Sequence, residues 1–427
     1  MATMQLVREE AAEAEEQRQE SPRSPEAALG MKVEDLWDVQ EPQLSPSEKL
    51  NACFESIPVS AFPPSSSSQV IEIRSDTSLA EAVRILAENK ILSAPVVDVK
   101  APADASWIDR YLGIVEFAGI ALWILQQSEP PSPRSPNSGT ALAMAINGVT
   151  RATGLGTLSP EDALPTSGSF FEALTSSEFY KNAKVGDIAG SFRWAPFLAL
   201  QTSNSFLTML LLLSNYKMKS IPVVDLGEQT ISTVITQSAV IHMLSECAGQ
   251  HWFESLGTMT LSEIGLPLVS PNRVIKIHEE EPVLQAFKLM RRSGIGGVPV
   301  VDSGGKPVGN ISLRDVQFLL TAPEIYHDYR SITTKNFLTA VGQHLKKRNE
   351  KSSSISLVTC TRDLTLKELI HKLDSKKIHR IYVVDDAGHV DGVITLRDII
   401  SRLVHEPRGY FGDFFDGVLP LPPNSRV

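Results

Sequence analysis

VPVVD, residues Val298–Asp302, is an apolar run closed by an acid, and the chain writes this phrase four times: APVVD at Ala94–Asp98, IPVVD at Ile221–Asp225, VPVVD itself, and IYVVD at Ile381–Asp385. Short runs of this kind, rich in β-branched residues, read as buried strands. A phrase that recurs marks an internal repeat, and the repeat decides the fold. Leu79, Phe206, Val283 and Leu366 stand at one fixed distance upstream of the four runs. At three, four and seven residues beyond each come Ala82, Val83 and Leu86; Met209, Leu210 and Leu213; Ala286, Phe287 and Met290; and Leu369, Ile370 and Leu373. Every one of these is apolar, which is the stripe of a helix laid on a sheet.

The surroundings complete the unit. Ser78 and Thr365, each followed three residues later by Glu, have the pattern of capping boxes, and Pro282 suits a first helical turn. Upstream strand candidates are VIEIR from Val70, FLALQ from Phe197, VIKIH from Val274 and LVTCT from Leu357. Downstream candidates are YLGIVEF from Tyr111, ISTVITQ from Ile231, PVGNISL from Pro307 and HVDGVITL from His389, each leading into a second helix. The result is a β-α-β-β-α unit in four copies, an α/β chain of mixed α+β character. The interval from Asp98 to Asp225 is much longer than the other two, and the excess is the Ser-, Pro-, Gly- and Ala-rich stretch Gln127–Ser169 with a longer turn at Lys100–Arg110. The expected division is a disordered N-terminus (1–30), an N-terminal extension with the first repeat (31–126), a flexible insert (127–169), the second (170–250), third (251–330) and fourth repeats (331–410), and an aromatic tail (411–427).

Bulk properties narrow the function. The chain has 427 residues, 42% of them hydrophobic, and a formal charge of -10 with both signs interspersed, so it lacks the basic footprint that nucleic acid requires. Its three cysteines, Cys53, Cys247 and Cys360, are far apart and form neither a disulfide framework nor a metal pair, which points to a reducing compartment, cytoplasmic or nuclear. The greasiest stretches, Phe206–Leu213 and Ile120–Leu125, are far shorter than the ~20 residues that span a bilayer, so no membrane role is expected. The N-terminus has no signal or transit pattern.

At these residues the chain resembles CBS repeats, and four of them imply two tandem pairs packed as a disc. No barrel or membrane domain accompanies them, so the chain is similar to the gamma regulatory subunits of the AMP-activated and sucrose-non-fermenting-related protein kinases. NACFESIPVSAF (Asn51–Phe62), RDVQFLLTAPEIYHDYRSITTKNFL (Arg314–Leu338) and GYFGDFFDGV (Gly409–Val418) resemble the plant gamma type, in its plain form without a glycogen-binding module. The resemblance implies a non-catalytic subunit of a heterotrimer with a catalytic alpha and a scaffold beta subunit, serving carbon and energy metabolism. The alternative is a free-standing adenine-nucleotide-sensing module that regulates another enzyme.

In such repeats a Ser/Thr-x-x-Asp motif opens the second helix, its Asp on the ribose hydroxyls and its Ser/Thr facing phosphate. The third repeat has Ser312, Leu313, Arg314 and Asp315, and the fourth Thr395, Leu396, Arg397 and Asp398. A carboxylate accepts two hydroxyls well and a helix start favours phosphate, although the same pattern is also an ordinary capping box. Gly119 and Ala239 replace the Asp in the first two repeats, and Glu116 stands where Thr395 stands in the fourth. His379 and Arg380 align with a phosphate-reaching position and read equally as a solvated basic pair; Lys219 and Ser220, Gly296 and Gly297, and Leu92 and Ser93 occupy it elsewhere. Arg314 and Arg397 are either ligand contacts or surface residues. The ligand implied is AMP, ADP or ATP, with no obligatory cofactor.

The strand-end aspartates precede turns such as Ser303-Gly304-Gly305, so they read as local turn acceptors and not as a metal site. Gly304-Gly305-Lys306 is stopped by Pro307, His379-Arg380-Ile381 is no kinase HRD, and Asp413-Phe414-Phe415 is no DFG, leaving no catalytic residue to nominate. Tyr410, Phe411, Phe414 and Phe415 crowd the tail, which either docks on another chain or folds back on its own repeat. Ser21, Ser24, Ser132 and Ser135 precede prolines and are candidate phosphorylation sites.

Overall fold

The computed structural model of the chain describes residues 46–63, 70–89, 91–102, 104–105, 109–117, 119–120, 123, 182–188, 198–225, 227, 230–322, 331–347 and 357–412. The N-terminal segment 1–30, the insert 127–169, their Ser-Pro sites, and Phe414 and Phe415 of the tail lie outside them. Helix α1 (Pro46–Ser56) comes first, then β1 (Ile73–Arg74), α2 (Leu79–Glu88), β2 (Ser93–Val97) and β3 (Tyr111–Glu116) of the first repeat. After the short α3 (Val185–Ile188), the second repeat has β4 (Leu200–Gln201), α4 (Phe206–Ser214), β5 (Ser220–Asp225), β6 (Thr230–Thr236) and α5 (Gln237–Glu246), followed by α6 (His251–Gly257). The third has β7 (Ile277–His278), α7 (Val283–Ser293), β8 (Gly297–Val301), β9 (Pro307–Ser312) and α8 (Val316–Thr321). Helix α9 (Thr334–Lys347) leads to the fourth, with β10 (Thr359–Cys360), α10 (Leu366–Lys376), β11 (Arg380–Val384), β12 (Val390–Thr395) and α11 (Leu396–Leu403).

The four sheets are copies of one another. In each, the repeated phrase is the central strand, parallel to the strand before it and antiparallel to the one after. Each hairpin carries a register shift at the same place, for instance between Val300 and Val301 in the third repeat and Val383 and Val384 in the fourth. Only two residues of each upstream strand candidate join the ladder, such as Ile73 opposite Val96. These are edge strands, so hydrogen bonding ends where the central strand stops running beside them. The strand-end acids make turns: the carboxylates of Asp225, Asp302 and Asp385 accept from the backbone N–H of Gly227, Lys306 and His389 at 2.8, 2.9 and 2.8 Å.

Helix starts follow the sequence pattern. The Ser78 hydroxyl accepts from Glu81 N, and Thr365 with Glu368 forms a complete capping box. The first N–H of each leading helix would otherwise lack a partner. Leu79, Phe206, Val283 and Leu366 donate to the carbonyls of Ala183, Ile57, Ile332 and Met259. All four acceptors lie in the lead-in of the tandem neighbour, so within each pair the two repeats exchange their lead-in segments. Isolated bridges at Pro58–Ser205, Ser78–Lys184, Thr260–Thr365 and Pro282–Thr333 mark the same exchange.

Two large cores run across the chain order. One gathers Leu79, Val83, Leu86, Val283, Phe287, Met290 and Phe337, joining the first repeat to the third. The other gathers Phe206, Leu210, Ile241, Leu366, Ile370 and Ile399, joining the second to the fourth, with Phe54 of α1 added. Tandem partners meet through their sheets, as where the Tyr382 hydroxyl donates to Asn310 Oδ1 at 2.6 Å. Each repeat therefore touches one neighbour by sheet and another by helices, which closes a flat ring of four, the disc. The tail residues Tyr410 and Phe411 fold back, but onto the second repeat and α1: Tyr410 Oη lies 2.9 Å from Thr208 Oγ1 and also bonds Glu55, and Phe411 stacks edge-on against Tyr216 at 4.9 Å. Among the described residues no helix is long and apolar enough to cross a membrane.

Candidate functional site

The third repeat turns from β9 into a helical turn at Ser312. There the Ser312 N–H and hydroxyl both donate to Asp315 Oδ2, at 2.7 and 2.9 Å. Asp315 is fully buried, and its other oxygen, Oδ1, has no hydrogen-bond partner. Burial pushes the Asp315 carboxyl up to about 6, against the Ser312 hydrogen bonds and the Arg314 and Arg380 charges that favour the anion. An unmet buried carboxylate oxygen is costly unless a donor arrives.

Arg380 comes from the tandem partner. It opens β11 and lies against β8, where a Cβ at Gly297 would overlap its guanidinium. Glycine at 297 thus makes room for the arginine beside Asp315. Arg314 is largely enclosed, and burial works against its charge while Asp315 supports it. His379 sets its Nε2 3.1 Å from Ser238 Oγ of the second repeat. Desolvation, then the charges of Arg314, Arg380 and Lys219, hold the His379 imidazole down to about 4, so it is neutral at pH 7. Its surface remains exposed at the cleft, so water moderates that effect. The adjoining cleft, about 460 Å³, runs between α5 and α10 and is lined by Ser238, Arg314, Lys377 and His379 among others.

Of the residues singled out by sequence, Ser312, Arg314, Asp315, His379 and Arg380 therefore converge. Thr395, Arg397 and Asp398 make a separate cap at α11, where the Thr395 N–H and hydroxyl both donate to Asp398 Oδ2 at 2.8 Å. Asp398 is 6% exposed and Arg397 half-buried. Strand register confirms the equivalences: Glu116, Thr236, Ser312 and Thr395 pair with Ser93, Ser220, Gly297 and Arg380. Sequence reasoning missed Ser238, Asn310 and Tyr382; a polar Asn in the middle of a strand was the available signal for the latter two. It also missed that Lys219 Nζ is paired with Glu116 at 2.9 Å.

The CBS domain model matches residues 59–116, 268–321 and 353–405, within the first, third and fourth repeats. Over 407 residues the chain is 70% identical to the SNF1-related protein kinase regulatory subunit gamma-1 of Arabidopsis thaliana, with 95% of each chain covered. The chain belongs to the SNF1-related protein kinase regulatory gamma subunits. A gamma-1-like member from Arabidopsis thaliana is 39% identical over 85% of this chain and 89% of its own. Like these gamma subunits, the chain has a regulatory, non-catalytic role. A solved Methanocaldococcus jannaschii protein, likened to g-AMPK, shares the fold with a TM-score of 0.50 at 15% identity, over 81% of this gamma subunit and 99% of the archaeal chain.

Proposed function

We propose that this gamma subunit joins a catalytic alpha and a scaffold beta subunit of a kinase in the cytoplasm or nucleus, and that its second tandem pair takes an adenine nucleotide. The observation that carries the ligand is Asp315 Oδ1, a buried acceptor without a donor, beside Arg314 and Arg380. A ribose hydroxyl supplies the missing donor, and the attached phosphate meets Arg314 and Arg380. The residues fit the group: an acceptor for the sugar sits next to cations for the phosphate. Neutral His379 adds a hydrogen-bonding ring beside them. Asp398 with Thr395 forms the second candidate position.

Calorimetric titration of the full chain with AMP and ATP tests the ligand. A hydrogen bond to a charged group contributes about 1.5 to 3 kcal/mol, so Asp315→Ala should weaken its site by roughly ten- to a hundredfold, and Asp398→Ala its own. Undiminished binding in the double variant sinks the assignment. For the partners, affinity purification with mass spectrometry should recover alpha and beta kinase subunits in stoichiometric amounts; their absence refutes the assembly.

A further inference from the structure

The first tandem pair has an acid where the second has a hydroxyl. Glu116 ends β3 at the register position of Ser312 and Thr395, and its Oε2 lies 2.9 Å from Lys219 Nζ of the second repeat. Lys219 in turn precedes β5 as His379 precedes β11, and its charge reaches His379 across the ring. In the second pair the same strand start brings Arg380, one residue beyond His379 and equivalent by register to Ser220, toward the Ser312–Asp315 turn of the other repeat. In the first pair the same geometry brings a cation to a carboxylate. The acid at the ribose position is gone, because Gly119 stands there. Nothing among the described residues lies within 4 Å of where a Cβ at Gly119 would sit.

We propose that Glu116 is a resident anion: its carboxylate holds Lys219 in the manner a ligand phosphate would, and so keeps the first tandem pair closed to anionic ligands. The pair is a chemical self-occupancy, with the chain carrying its own counter-ion. It restricts which half of the disc reads a phosphate-bearing molecule. The proposal rests on the nucleotide reading only for the identity of the ligand, since any phosphate anion competes with the same carboxylate.

The test uses the full chain and inorganic tripolyphosphate, followed by calorimetry. Both side chains of the pair keep some exposure, 57% for Lys219 and 26% for Glu116. The isosteric Glu116→Gln should therefore fold as before and bind tripolyphosphate about two- to fivefold more tightly, the range of a partly exposed ion pair. Adding Lys219→Met to that variant should cancel the gain. Lys219→Met alone should leave tripolyphosphate binding unchanged, because in the native chain Lys219 is already engaged. The combination Glu116→Thr with Gly119→Asp should add one AMP per chain. The proposal is overturned if Glu116→Gln binds no more tightly than the native chain, if the gain survives Lys219→Met, or if Lys219→Met alone weakens binding. A gain with tripolyphosphate in a chain that ignores AMP would refute the nucleotide reading and leave this proposal standing; AMP binding that depends on Asp315, with no gain from Glu116→Gln, does the reverse.

Discussion

The first and third repeats bury their leading helices in one core, with Leu79, Ala82, Val83 and Leu86 of one packed alongside Val283, Ala286, Phe287 and Met290 of the other. At the turn into the second helix they part: Ser312–Asp315 presents a buried acid with an open acceptor, whereas Glu116–Gly119 presents an outward acid tied to a lysine. The helix stripe is held by packing on both sides, and a change there is felt throughout a close-packed interior. The turn lies at the rim of the sheet, where side chains meet the tandem partner and can be exchanged without unfolding either repeat. The helix core and the chemistry of this turn thus vary independently within one repeated unit.

The largest expected effect tests whether the core is truly shared. Phe287 is fully buried and meets Phe337 edge-on at 6.3 Å. Phe287→Ala should cost about 3 to 5 kcal/mol in urea unfolding. The loss should appear in one transition that takes the first and third repeats together; separate melting of the third repeat alone would show that each has its own core.

Next comes the difference in acid chemistry. Asp315 titrates at about 6 in the folded chain, against an ordinary value of 3.8. Between those values the folded chain keeps a proton that the unfolded chain has lost, so this group makes stability fall as pH rises from about 4 to 6, and the loss persists above. A displacement of that size corresponds to about 3 kcal/mol. His379 works in the opposite direction: held near 4, it lacks in the folded chain a proton that the unfolded chain binds below 6.5, so its share of stability rises over the same range. The two partly cancel, with the exposed His379 the weaker through water screening. Relative to the native chain, Asp315→Asn should gain about 3 kcal/mol between pH 4 and pH 7. A constant gap across that interval contradicts the buried, raised carboxyl, and with it the contrast to Glu116.

A smaller effect belongs to the tail. Tyr410→Phe removes hydroxyl contacts with Ser205, Thr208 and Glu55 and should lower stability by about 1 kcal/mol, read from the thermal midpoint. No change would mean that Phe411 against Tyr216 holds the tail unaided.

Much of this was legible in the residues. The four phrases became the four central strands, and every position of the four helix stripes is buried, because a period of 3.6 against a sheet leaves few alternatives. What escaped was everything set by long-range partners. The exchange of lead-ins at Ala183 and Met259 depends on which neighbour supplies a carbonyl, and no local pattern encodes that. Convergence of Arg380 on Asp315 needed the space above Gly297, visible only once β8 and β11 face each other. The Glu116–Lys219 pair joins two residues that stand in different repeats, separated by the insert, and no local pattern links them. The tail was expected to dock elsewhere or return to its own repeat, and its landing on the second repeat follows from the ring closure that brings Glu55, Tyr216 and Tyr410 together.

Because the covalent chain links the first repeat to the second and the third to the fourth while the two cores link them crosswise, the molecule is woven. After a cut in the backbone between Gly257 and Thr260, both cores still span the two fragments. A protease nick there should leave the fragments associated under native conditions and separable only in denaturant, and the two halves synthesised as separate polypeptides should need each other to become soluble.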